Sequence, residues 1–151
     1  MLETWEVIKA LEELTKPLNL IEAFEEANEV SARYIILRFK SMNSKYVEGI
    51  NIILRYLPHT SLVIWGRIEV LVSRDIPAKE FLTRIYNELI KSKAEVLVKA
   101  DGISVFYKLN TASANEFKAD LIRKISECLR IIEGTRDVNL VYEGFKVLNH
   151  E

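Results

Sequence analysis

Chemistry has few places to start in this chain of 151 residues. Its two histidines, His59 in a Pro-containing turn and His150 near the end, stand far apart in sequence, and neither has a cysteine or paired carboxylates at metal-ligand spacing. No metal site is expected, and His59 reads as an exposed turn residue rather than a catalytic base. The one cysteine, Cys128, falls in the helical stripe Phe117, Leu121, Ile125, Cys128 and Ile132, where a free thiol behaves as a small hydrophobe. That stripe is shorter than the three to four heptads of a convincing coiled coil, so it reads as a core face. The glycines Gly49, Gly66, Gly102, Gly134 and Gly144 fit neither the G-x-G-x-x-G nor the P-loop spacing, which leaves no loop to cradle a phosphate. Glu12-Glu13 and Glu25-Glu26 fall on solvent sides of helical segments rather than pairing for acid–base work. The expectation is a protein that is not an enzyme, with no catalytic residues and no cofactor.

Cations and aromatic rings, in contrast, recur two residues apart. Successive strand residues point to opposite faces, so residues two apart share one. Ile35, Leu37 and Phe39, then Ile50, Ile52, Leu54 and Tyr56, then Leu62, Ile64, Ile68, Val70 and Val72 form an apolar face fit for a core. The opposite face carries Tyr34, Arg38 and Lys40, then Asn51 and Arg55, then Trp65 and Arg67, and in a further hairpin Lys99, Phe106 and Lys108. Such a face suits single-stranded nucleic acid, because cations track phosphates and flat rings stack on bases at about 1–3 kcal/mol per base. Trp65, Tyr34 and Phe106 are the expected stacking residues. Arg38, Lys40, Arg55, Arg67, Lys99 and Lys108 are the expected phosphate partners. Ile36, Ile53, Val63 and Leu71 are interspersed on the same face, so it also reads as a subunit interface with arginines snorkelling at its rim.

Positioning these residues requires strands with a turn at each end. Arg33 to Lys40, Gly49 to Leu57 and Leu62 to Ser73 are rich in β-branched and aromatic residues and read as an antiparallel meander. Glu95 to Ala100 and Ile103 to Leu109 form a hairpin across the turn signal Asp101-Gly102. Leu2 to Leu14 repeats apolar residues every three positions as an amphipathic helix, closed by Pro17, and Asn19 starts a short second helix to about Asn28. Pro77 opens a third helix reaching Ser92, and Ser113 with Glu116 makes a capping box for a fourth that ends before Gly134. From Asp137 to Leu148 the pattern fits strand and helix alike. The expected fold is α+β: a mainly antiparallel sheet of about five strands with helices on one face, in the order α-α-β-β-β-α-β-β-α plus a short tail.

With 49% hydrophobic and 28% charged residues, the chain is expected to form one globular domain over residues 1–151. Its apolar runs fall far short of the roughly 18 residues that span a bilayer, and Leu2 to Leu14 is too rich in glutamate for a secretory signal. A single cysteine suits a reducing compartment, so the cytoplasm is the expected location, with no membrane partner. Glutamine is absent while Ile, Lys and Glu are abundant, a heat-adapted pattern against which nine asparagines weigh. Residues 1–30 hold two Lys and eight Glu, a net of −6, whereas residues 31–75 hold seven Lys or Arg against three acids, a net of +4. The total of −1 thus hides a strong segregation, although a pI near 6.2 lacks the basic footprint of an avid nucleic-acid binder.

On the segments Arg33 to Lys40, Arg55-Tyr56 and Trp65 to Arg67, with its size and heat-adapted composition, the chain resembles the ThermoDBP-related proteins. These are archaeal relatives of a non-canonical single-stranded DNA-binding protein of hyperthermophiles. The resemblance implies an archaeal, thermophilic source and single-stranded DNA or RNA as partner; it transfers no site residue. The element order also resembles the type III secretion chaperone-like fold, whose members are small α+β homodimers that bind protein segments. That resemblance is one of topology, which does not fix function, and it implies a homo-oligomer.

Overall fold

A computed structural model describes residues 2–3, 34–57, 62–109, 114–135 and 137–148. Its strands are β1 (Leu2–Glu3), β2 (Tyr34–Ser41), β3 (Val47–Leu57), β4 (Leu62–Ser73), β5 (Glu95–Lys99), β6 (Gly102–Leu109) and β7 (Leu140–Leu148). All pair antiparallel in one sheet of order β5-β6-β4-β3-β2-β7, with β1 on β4. The α+β class and the helix-bearing antiparallel sheet expected from sequence are present. Among the described residues the sheet holds seven strands rather than about five, because Leu2–Glu3 and Leu140–Leu148 each contribute one.

Each difference has a local cause. The helix expected from Leu2 instead begins with a strand: β6 pairs with β4 only as far as Gly66, and Leu2 and Glu3 take the β4 edge beyond it, opposite Val63 and Leu62. The rest of the two expected N-terminal helices lies outside the described residues, as do His59, Ser113 and His150. The ambiguous tail is a strand, since Leu140 is buried and Tyr142 packs on Phe39 with ring centroids 5.6 Å apart. The hairpin turn lies one residue earlier than Asp101-Gly102 implies, because Gly102 is already paired with Lys99 and Ser73. Space dictates the glycine there: a Cβ would stand 2.6 Å from the Val72 carbonyl oxygen.

Among the described residues, two helices pack on one face. Helix α1 covers residues 78–91 in three stretches, Ala78–Glu80, a π-helical Phe81–Ile85 and Tyr86–Lys91. Its buried side chains Phe81, Ile85 and Leu89 step by four, a spacing that drifts about 40° per step around an α-helix. The wider π turn takes up that drift and keeps all three on the sheet. Leu82 and Ile90 face solvent instead. Helix α2 (Ala114–Glu133) ends at Gly134, whose φ of +76° is the left-handed conformation expected beyond a helix. Its stripe Leu121, Ile125, Cys128 and Ile132 is buried in the chain's own core with Leu37, Ile52, Ile68 and Val105, so it is no free seam. Phe117's side chain is outside the described set. Fully burying each Leu or Ile contributes about 1.5–3 kcal/mol, which fixes which face of the sheet turns inward.

Candidate nucleic-acid interface

The strand register builds the opposite, outer face row by row. Tyr34 lies across from Arg55, and Arg55 from Trp65. The next row runs Lys146, Ile36, Ile53, Arg67, Lys108, and the one after it Gly144, Arg38, Asn51, Glu69, Phe106, Glu95. Lys40 follows with Gly49, Leu71, Ser104 and Leu97, and Lys99 stands on Gly102 beside Ser73. All nine residues singled out from sequence therefore share one face. From Tyr34 to Lys40 it extends about 20 Å along the strands.

Within this face the side chains divide into an aromatic end, a paired patch and several open cations spread from β7 to β6. Tyr34 and Trp65 meet edge to face with centroids 6.3 Å apart, leaning toward each other over β3. Such a pair is held to a single geometry by about 0.5–1.5 kcal/mol beyond burial. Arg67 lies over the Phe106 ring, its guanidinium carbon 4.0 Å from the ring centroid, and its Nε is buried without a hydrogen bond among the described residues. Phe106 thus presents a guanidinium-capped ring rather than two bare faces.

Two carboxylates temper the charge. Glu95 stands 3.7 Å from Arg67, and Glu69 stands 3.6 Å from Lys99 while accepting a hydrogen bond from the Asn51 amide at 3.1 Å. Both share parity with residues expected on this face, Glu69 falling two after Arg67 and Glu95 four before Lys99, although neither is among the residues expected from sequence. Ion pairs this long, each with one well-exposed partner, hold by about 0–1 kcal/mol, little enough for a phosphate to compete. Arg38, Lys40 and Lys108 are exposed and form no ion pair among the described residues. Lys146 joins them, a cation the sequence could not assign because the tail's structure was open.

Elsewhere the described residues offer less. A groove of about 490 Å³ between the end of α1 and α2 is lined by Lys91, Lys93, Arg123 and Lys124, but Asp120 binds Arg123 at 2.5 Å and Lys124 at 3.0 Å. The Tyr107 hydroxyl in its lining is engaged by Ser92 at 2.8 Å. Burial raises the pKa of Tyr107 and pushes the Cys128 thiol beside it up to about 12, which keeps both protonated. Among the described residues no group of three His, Cys, Asp or Glu side chains could hold a metal ion, and no helix is long and apolar enough to cross a membrane. No protein-family model, curated protein or solved structure matches the chain.

Proposed function

We propose that this protein is a non-enzymatic cytoplasmic module that binds single-stranded nucleic acid across the outer sheet face, as its resemblance to the ThermoDBP-related proteins implies. The observation that carries the reading is the Tyr34–Trp65 pair standing at the head of a face whose Arg38, Lys40, Lys108 and Lys146 have no acidic partner among the described residues. A base stacks on Trp65 or on the guanidinium plane of Arg67, and the open cations meet the phosphates that follow. Arg55 holds the register position between Tyr34 and Trp65, and Lys99 exchanges its hold on Glu69 for phosphate. Replacing Trp65→Ala together with Arg67→Ala removes one stacking platform and one cation without touching the buried face. The double variant is expected to keep the far-UV circular dichroism of the wild type and to lose oligonucleotide affinity by tenfold or more, about 1.4 kcal/mol, the lower end of one lost stack. Unchanged affinity would show that this face is not the site.

One observation favours a second reading. Ile36 and Ile53 oppose each other at the centre of the face, and Arg67 and Lys99 are drawn to Glu95 and Glu69 around them. An apolar centre with a charged rim is also how a homodimeric protein-binding module meets a partner. Under that reading Ile53→Lys dissolves an assembly; under the nucleic-acid reading it adds a cation and tightens binding.

A further inference from the structure

The outer edges of the sheet are finished differently. On the β7 side the register with β2 shifts between Arg38 and Phe39, so that Glu143 is an extra residue opposite them, and Gly144 next to it has φ +131°. A bulge with a glycine twists an edge away from further pairing, one of the ways natural sheets avoid joining each other. On the β5 side nothing of the kind is present. The five pairs from Glu95↔Phe106 to Lys99↔Gly102 run without a shift, and the strand contains neither proline nor glycine. Leu97 is 50% exposed and Val98 69% exposed, and β5 pairs with β6 alone among the described strands, so this edge offers apolar side chains along with backbone groups that no described strand pairs.

The sequence of that edge, Glu95-Val96-Leu97-Val98-Lys99, is its own antiparallel complement. We propose that β5 pairs with β5 of a second copy of this chain about a two-fold axis at Leu97. In that register all five residues are used: Leu97 meets itself, Val96 meets Val98 of the partner subunit on the helix-bearing side, and Glu95 meets Lys99 of the partner subunit on the outer face. A shift of two residues leaves part of each strand unpaired and both charges without a counterpart, so charge selects the register as well as the partner. The ion pairs already present are extended rather than broken. Arg67, Glu95, Lys99 of the partner subunit and Glu69 of the partner subunit then alternate in sign, and the two-fold axis repeats the series. Networks of this kind hold where isolated exposed pairs contribute little. The proposal is independent of the nucleic-acid reading, but it sets both outer faces on the same side of one continuous sheet.

The experiment is sedimentation equilibrium on the full chain at high micromolar concentration, followed by mild oxidation of the variants Leu97→Cys and Glu95→Cys. Directly opposed antiparallel residues have Cα atoms about 4.5–5.5 Å apart, inside the range a disulfide bridges. Leu97→Cys is therefore expected to form a covalent dimer, whereas Glu95→Cys, which faces Lys99 rather than itself, is not. The native Cys128 is 0% exposed and does not interfere. A wild-type chain that sediments as a monomer overturns the proposal. So does a dimer in which Leu97→Cys cross-links no better than Glu95→Cys, because the copies would then meet elsewhere.

Discussion

Cys128 lies fully buried against Tyr107, and desolvation pushes its thiol from the ordinary 9.0 up to about 12. The fold therefore favours the protonated thiol. Its contribution to stability is fully present below pH 9 and is lost as the pH rises through about 12, because only the unfolded chain gives up the proton in between. Unfolding free energy should fall by up to about 1.4 kcal/mol per pH unit across that interval from this group. Tyr107 shifts in the same direction and adds to the slope at the alkaline end. Denaturant melts at pH 8 and pH 10.5 are expected to show this loss in the wild type and a shallower one in Cys128→Ala, whose lower baseline reflects the cavity it leaves. The native thiol should resist aromatic disulfide reagents until the chain unfolds. Rapid native labelling would mean that the residue is not enclosed.

Among the elements, the β2–β3 hairpin depends on a residue far away in sequence. The Glu133 carboxylate at the end of α2 accepts backbone N–H groups of Lys45 at 2.5 Å, Tyr46 at 2.7 Å and Val47 at 3.0 Å. The Asn43 side chain ties the same hairpin to the segment before β7, accepting from the Asn139 N–H at 2.7 Å. Hydrogen bonds to a charged group contribute about 1.5–3 kcal/mol each, so Glu133→Gln should cost about 2 kcal/mol in all, given that the amide still accepts at one oxygen and the site is partly solvated. Hydrogen exchange should find the loss concentrated at residues 45–47. An unchanged melting midpoint would show that the hairpin holds without this anchor.

The same scale shows where sequence sufficed. Alternation with period two put Leu37, Ile52 and Ile68 on one face and Arg38, Trp65 and Arg67 on the other, because β2, β3 and β4 run six residues or more with few bulges. What could not be read was set by neighbours rather than by the segment itself. Strand β1 exists where β6 stops short on β4, and β7 is a strand because β2 offered an edge to a segment whose own pattern was double-valued. The π turn at Phe81–Ile85 reconciles a four-residue spacing with one packed face, which no local signal announces. At the candidate site the missing residues were of two kinds. Glu69 and Glu95 could have been found by parity, whereas Lys146 became visible only once the tail's strand was fixed.

Over the whole molecule charge is segregated, with a net of −6 in residues 1–30 and +4 in residues 31–75. On the proposed reading, binding through the outer face is a local electrostatic event on a chain of almost neutral total charge, and salt should act on it strongly while leaving the fold alone. The most direct test is a titration of the wild-type chain with a labelled single-stranded oligonucleotide, following anisotropy and tryptophan fluorescence together at low salt and again at higher salt. Each phosphate neutralised on a single strand contributes roughly −0.7 to the slope of log affinity against log salt, so engagement of the four open cations gives a slope of about −3. Saturable binding with that slope, and with fluorescence quenching that disappears in Trp65→Phe while Trp5 remains, is the expected result. No binding at micromolar protein in low salt, or an affinity indifferent to salt, would contradict a platform that stacks bases and tracks phosphates.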